Sequence, residues 1–309
     1  MSIIIVGSVA FDMIETPFGK TGRILGGAGT YIALSTSNFN VEPQIISVVG
    51  SDFPQEYIDL FHKQNIVTQG LQIKTDEKTF FWSGVYHNDM NTRDSLITEL
   101  NSLGSFDPII PKAYQGTDYL MLGNLSPVIQ RKVIERLHKR PKLIAMDTMN
   151  FWIETTPDEL RKTIGMVDLL IVNDEEARQL SNEYSLVKAA EQILNTGIKY
   201  LIIKKGEHGA LLFDKECIFS TPAFPLETVF DPTGAGDCFA GGFMGYIAST
   251  NDLSFDNMKR AVIFGSTIAS FSVQEFGTKK LENLTKQEIN ERIRQFVNLT
   301  RFDFGMELK

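Results

Sequence analysis

The sequence predicts an α/β fold: a mostly parallel sheet covered by helices on both faces, three layers in the order α-β-α, with a small extra β sheet beside it. Three observations carry this. Short β-branched apolar runs recur along the 309 residues, amphipathic stretches of helical period separate them, and the connections are short. Strands that are apolar throughout and linked through helices belong to parallel sheets buried on both sides. A hydrophobic content of 43% is enough for a full-sized core. No repeat, low-complexity stretch or linker divides the chain, so a single domain over 1–309 is the economical reading.

The predicted strands are Ile3–Gly7, Gln44–Val49, Tyr119–Leu122, Leu143–Asp147, Leu169–Val172 and Tyr200–Lys204. Between them, Pro54–Lys63, Ser126–His138 and Leu186–Asn195 have helical periodicity, and after Asp231 the chain is helical over Ala235–Thr250, Asn257–Val273 and Gln287–Asn298. Two segments break the pattern. Phe11–Leu25 is punctuated by Pro17, Gly19 and Gly22, and the alternating stretch that begins at Ile66 contains Phe80, Phe81 and Trp82. Insertions of about 11–25 and 66–98 are therefore expected to form the small sheet, either as a lid over one end of the main strands or as a plain edge hairpin.

Composition excludes several function classes. Thirty basic against 38 acidic side chains leave a net charge of −8, the wrong sign for a nucleic-acid or anionic-membrane partner. Cys217 and Cys238 lack any C-x-x-C spacing, and the four histidines stand at unrelated intervals. No run approaches the roughly 18 apolar residues of a membrane span, and Met1–Gly7 lacks the basic start of a signal peptide. A soluble cytoplasmic protein is expected. Gly19-Lys20-Thr21 resembles the end of a Walker A loop, but Ile14 replaces its first glycine and Pro17 interrupts it. Gly27-Ala28-Gly29 begins a dinucleotide fingerprint that fails at Ile32.

One stretch carries chemistry: Asp231-Pro232-Thr233-Gly234-Ala235-Gly236-Asp237-Cys238-Phe239-Ala240-Gly241-Gly242. It follows an extended segment and runs into an apolar helix. The amides of Gly234, Ala235 and Gly236 would face outward at that helix's N-terminus, where unpaired donors and the positive end of the dipole make an anion site. A carboxylate at Asp237 gains from the same dipole and is expected to stay ionised, ready to take a proton from a hydroxyl beside a transferring phosphoryl group. The alternative is an Asp-capped helix whose glycines serve close packing.

The same stretch resembles the C-terminal signature of the ribokinase-like (PfkB) carbohydrate and nucleoside kinases. Further landmarks occur in that family's order: Val6-Gly7-Ser8-Val9-Ala10-Phe11-Asp12, Gly26-Gly27-Ala28-Gly29, Val49-Gly50-Ser51-Asp52-Phe53, Asn173-Asp174-Glu175-Glu176 and Lys204-Lys205-Gly206-Glu207-His208-Gly209. The resemblance implies an ATP-dependent kinase, with Asp237 as general base and Gly234, Ala235 and Gly236 as the anion hole. It implies Mg²⁺ placed through water by Asn173 and Glu176. Lys204, Gly206, Gly209 and Thr233 would line the nucleotide, and Asp12, Gly26, Gly27 and Tyr31 the acceptor. A monovalent cation such as K⁺ would sit near Asp231, and the lid could serve as a homodimer interface. Asp12 could equally cap its turn, and Glu176 could simply favour the first turn of its helix.

The sequence departs from the family at two places. Tyr31 stands where asparagine is usual, so that a ring either faces a sugar or base or fills core. Asp147-Thr148-Met149-Asn150-Phe151-Trp152 places an aromatic where arginine is common. The leading expectation is phosphorylation of a primary hydroxyl on a small free sugar. A nucleoside kinase follows. A sugar-phosphate kinase is third, using Lys20, Arg23 or Arg93. A ligand-binding regulator that kept the fold without catalysis is the reading from another class.

Overall fold

The computed structural model describes residues 1–301. Its chain runs β1 (Ser2–Val6), β2 (Ala10–Thr16), β3 (Gly19–Lys20), β4 (Ile24–Gly26), α1 (Ala28–Thr36), β5 (Glu42–Gly50), α2 (Gln55–Lys63), β6 (Val67–Lys74), β7 (Phe81–Tyr86) and β8 (Arg93–Glu99). It continues through β9 (Tyr119–Leu122), α3 (Pro127–Arg136), β10 (Leu143–Asp147), α4 (Asn150–Thr155), α5 (Pro157–Ile164), β11 (Leu169–Asn173), α6 (Asp174–Ser181) and α7 (Leu186–Leu194). The last part is β12 (Tyr200–Lys204), β13 (Ala210–Phe213), β14 (Ile218–Thr221), α8 (Ala235–Thr250), α9 (Phe255–Ser272), α10 (Lys279–Glu282) and α11 (Lys286–Thr300).

Nine strands form the main sheet in the order β14-β13-β12-β11-β10-β9-β1-β5-β6, parallel except for β13 and β14. Successive residues of its strands face opposite helical layers, as the pleat requires. Ile3 and Ile5 pack with Phe243 and Phe271 on one side, while Ile4 and Val6 pack with Val133 and Leu160 on the other. The predicted three-layer arrangement is therefore present. From β1 the chain builds the sheet outward through β5 and β6, then returns to the other side of β1 for β9 to β12. Such a reversal marks the switch point, at whose C-terminal strand ends α/β sheets take their ligands.

The small sheet is ordered β3-β2-β7-β8, with β4 also paired to β2. Only part of the expected 66–98 insertion belongs to it. β6 instead lies parallel to β5 and closes the main sheet. An edge strand with one covered face alternates in the same way as a lid strand, which is why the pattern did not separate them. Phe80–Trp82 does not form an open aromatic face: Phe81 is buried beneath the Arg23 guanidinium, 4.4 Å from its ring centroid. Among the described residues no helix is long and apolar enough to cross a membrane.

Helix α8 is held against α1 more tightly than side chains would permit. A Cβ at Gly241 would fall 2.5 Å from the Ile32 carbonyl oxygen, and the Thr36 hydroxyl donates to the Gly241 carbonyl at 3.0 Å. Gly241→Ala is expected to cost about 1–3 kcal/mol through overpacking. Urea unfolding measures this, and a change below about 0.5 kcal/mol, the usual surface range, would refute the tight contact.

Candidate active site

The N-terminus of α8 opens with a turn that only glycine can make. Gly234 adopts φ 73°, ψ 2°, and its α-carbon rests on the Tyr31 ring, so that a Cβ would lie 2.5 Å from ring carbons. The amides of this turn divide into two groups. Thr233 donates to Asp231 Oδ1 at 2.9 Å, Ala235 to the Pro232 carbonyl at 3.2 Å, and Cys238 to the Gly234 carbonyl at 2.8 Å. Those of Gly234, Gly236 and Asp237 have no acceptor among the described residues. The expected anion hole is thus altered: the amide of Ala235 closes the turn, and that of Asp237 joins Gly234 and Gly236 as a free donor.

Charged side chains gather beneath the turn because adjacent strands end there. Asp147 closes β10, Asn173 closes β11 and Lys204 closes β12. Lys204 Nζ lies 3.5 Å from Asp147 Oδ2, and a Cβ at Gly236 would be only 2.8 Å from it. Burial alone would lower the Lys204 ammonium, but Asp147, Glu176 and Asp237 together raise it above the ordinary lysine range, so it stays charged. Asp237 is half-buried. Its carboxyl is pushed up to about 7, first by burial and then by the negative charge of Asp147, against the pull of Lys204. The expectation that the helix dipole would keep it firmly ionised is therefore corrected: desolvation outweighs the dipole here.

Asn173 and Glu176 cap α6 reciprocally. Asn173 Oδ1 accepts the Glu176 amide at 2.7 Å, and Glu176 Oε2 accepts the Asn173 amide at 2.8 Å. The one side-chain oxygen of Asn173 and one of the two of Glu176 thereby bind the helix terminus, leaving Glu176 Oε1 for a ligand. Burial and the nearby Asp147 push the Glu176 carboxyl up to about 7. Hard oxygen donors with uncompensated negative charge fit Mg²⁺, which binds through few protein oxygens and keeps its waters.

The predicted acceptor side is only partly assembled. Asp12 lies on Gly26, where a Cβ would fall 1.9 Å from Asp12 Oδ2. Its carboxyl is pushed up to about 7 by burial, which the Gly27 amide partly offsets. Tyr31 does not join this group. It is 1% exposed and lies under the turn as core, with its hydroxyl unpartnered among the described residues. Asp231 is also used structurally: Oδ1 holds Thr233, and Oδ2 accepts the Gly277 amide at 2.8 Å, tying the turn to the loop after α9.

The small sheet reaches over this site. Tyr86 Oη meets Thr233 Oγ1 at 3.2 Å, and Thr16 Oγ1 donates to the Phe230 carbonyl at 3.0 Å. Asn91 Oδ1 stands 3.3 Å from where a Gly206 Cβ would be, so the tip of the β7–β8 hairpin touches the turn 206–209. That turn closes through the Lys205 amide and the Gly209 carbonyl at 2.7 Å. Of the cations in the lid, Lys20 pairs with Glu15 at 2.9 Å and Arg23 stacks on Phe81, whereas the charge of Arg93 acts on Asp12, Glu176 and Asp237. Sequence reasoning missed Asp147 and Tyr86. An acid at the C-terminal end of a buried parallel strand was the available signal for Asp147; nothing local distinguishes Tyr86 from other lid aromatics.

A family model described as pfkB family carbohydrate kinase matches residues 2–284. The chain is 31% identical over 327 residues to a ribokinase of Staphylococcus aureus, covering 94% of this chain and 98% of that one. It is 28% identical over 250 residues to a cytidine kinase of Thermococcus kodakarensis, covering 79% and 87%. A crystal structure of a nucleoside kinase from Methanocaldococcus jannaschii superposes with a TM-score of 0.77 at 21% identity, covering 95% of this chain and 98% of that one.

Asp12 supplies a test of the electrostatics that needs no substrate. Its folded carboxyl, raised to about 7, favours the neutral form, so ionising it opposes folding. That penalty is absent below the unfolded value of 3.8, grows between there and about 7, and is constant above. Asp12→Asn is expected to raise stability on the order of a few kcal/mol at pH 8. The gain should shrink towards zero as the pH falls to 4; thermal unfolding at several pH values reads this, and a gain independent of pH would contradict it.

Proposed function

The chain belongs to the pfkB family of carbohydrate kinases, and from that premise we propose that it transfers the γ-phosphoryl group of ATP to the primary hydroxyl of a ribosyl compound, free ribose or a nucleoside. The observation that carries this reading is the position of Asp237 among the free amides of Gly234 and Gly236, with the Lys204 ammonium against Gly236. A proton acceptor, an anion cradle and a fixed cation then share one turn of helix, as phosphoryl transfer requires. The ribosyl acceptor is supported by the names of the relatives, a ribokinase and a cytidine kinase, whose acceptors share that unit.

In the proposed reaction Asp237 takes the hydroxyl proton as the acceptor oxygen bonds to the γ-phosphorus. The bond from that phosphorus to the bridging oxygen breaks, and its electron pair leaves with ADP. Asp12 accepts hydrogen bonds from ring hydroxyls, while Gly26 lets the carboxylate lie close to the backbone. Gly206, Gly209 and Thr233 border the nucleotide, Tyr86 latches the lid to Thr233, and the lid excludes water. Asn173 and Glu176 would hold Mg²⁺ through its waters, and the ion would neutralise phosphate charge.

ADP release from Mg·ATP, measured against a panel of sugars, nucleosides and sugar phosphates, tests the reading. One acceptor class should turn over, and Asp237→Asn should lose about 10²–10⁴-fold in kcat while remaining folded. Near-normal turnover by the folded variant would sink the assignment of the base, and ATP binding without turnover of any acceptor would favour a regulator. A second expectation concerns pH. Only the ionised carboxylate can accept the proton, and its value is about 7. The kcat/KM is therefore expected to fall by at least about tenfold per unit below that point, more steeply where Asp12 and Glu176 titrate with it, and a flat profile between pH 5 and 7 would contradict it.

A further inference from the structure

Lys204 is a lysine with more donors than partners. Its side chain is 17% exposed and that of Asp147 is 7% exposed, and the single hydrogen bond of its ammonium among the described residues is the 3.5 Å contact with Asp147 Oδ2. An ammonium carries three donors. The remaining two have no acceptor among the described residues, and Nζ lies 2.8 Å from where a Gly236 Cβ would be, beside the free amides of the turn. Asp147 is held in turn by the Thr148 amide, which donates to Oδ1 at 2.8 Å, leaving Oδ2 for the lysine.

We propose that the Lys204 ammonium is the fixed cation of the anion hole, meeting the transferring phosphoryl group itself, and that Asp147 is a positioning residue holding it over Gly236. The inference deepens the kinase reading and rests on it. It also explains glycine at position 236: the residue is helical and needs no special backbone angle, but any side chain would occupy the place of the ammonium. The groups facing Asp237 are Asp147 from β10, Lys204 from β12, Asp12 from β2 and Arg93 from β8; Lys204 additionally faces Glu176 from α6. Removing the two partners of the pair should therefore shift Asp237 in opposite directions, and a loss of kcat with the acceptor KM little changed separates a contact with the phosphoryl group from a purely structural pair.

The experiment uses the full chain with Mg·ATP and the acceptor found by the panel. Lys204→Met is expected to lose about 10²–10³-fold in kcat, as for a lost anion-hole donor, with the acceptor KM within a few-fold. Its acid limb should move to higher pH. Asp147→Asn should lose about 10- to 100-fold through misplacement of the ammonium, with the limb moving to lower pH. Gly236→Ala keeps the amide and displaces only the flexible end of the lysine, so it should fold; its loss should not add to that of Lys204→Met. Should Lys204→Met fail to fold, the neutral pair Asp147→Asn with Lys204→Met replaces it and should remain impaired. Wild-type kcat in folded Gly236→Ala or in the lysine variant, or limbs moving the same way, would overturn the proposal while wild-type turnover keeps the kinase reading standing. A wild-type protein that phosphorylates nothing removes both.

Discussion

The contact between helices α1 and α8 is the constraint on which the site depends. Gly241 lets the two backbones meet without side chains between them, and the Thr36 hydroxyl bridges to the Gly241 carbonyl. A helix fixed that closely cannot slide or rotate, so its N-terminal turn is held over the ends of β10, β11 and β12. Tyr31, carried by α1, supports the turn from below at Gly234. The packing of the glycine helix and the turn of free amides at its start are therefore one arrangement.

The electrostatics follow from that placement. Asp12, Glu176 and Asp237 are each raised to about 7 by burial, with a single close lysine at the centre of the cluster. An enclosure with more acids than bases strains the folded state at neutral pH and suits a centre that receives cationic charge with its ligand. The small sheet adds Arg93 and Tyr86 from β8 and β7, so the site draws on the main sheet, the helix terminus and a second sheet at once.

Legibility in the sequence varied with the range of the interaction. The central strands read correctly because a run buried on both faces needs nothing but its own residues to be recognised. The edge strand β6 did not, since half-exposure gives one pattern to two different sheets. Four-residue strands β13 and β14 are too short to declare a period. In the turn, Gly234 and Asp237 were evident from residue type, yet the engagement of the Ala235 amide with Pro232 was not. Tyr31 illustrates the limit best: its departure from the asparagine pattern was plain, and only the packing showed that its ring lies under Gly234 with no open face.

What the sequence determined by itself was the α/β class and the order of the motifs that resemble the kinase family, because strand periodicity and turn glycines act through local geometry. The tertiary structure decided which amides remain free, how far each carboxyl is raised, and that Asp147 and Lys204 meet at Gly236. Those properties depend on distances between residues up to 225 positions apart in the chain, as from Asp12 to Asp237. Desolvation and Coulomb energy are set by such distances, and no local pattern encodes them.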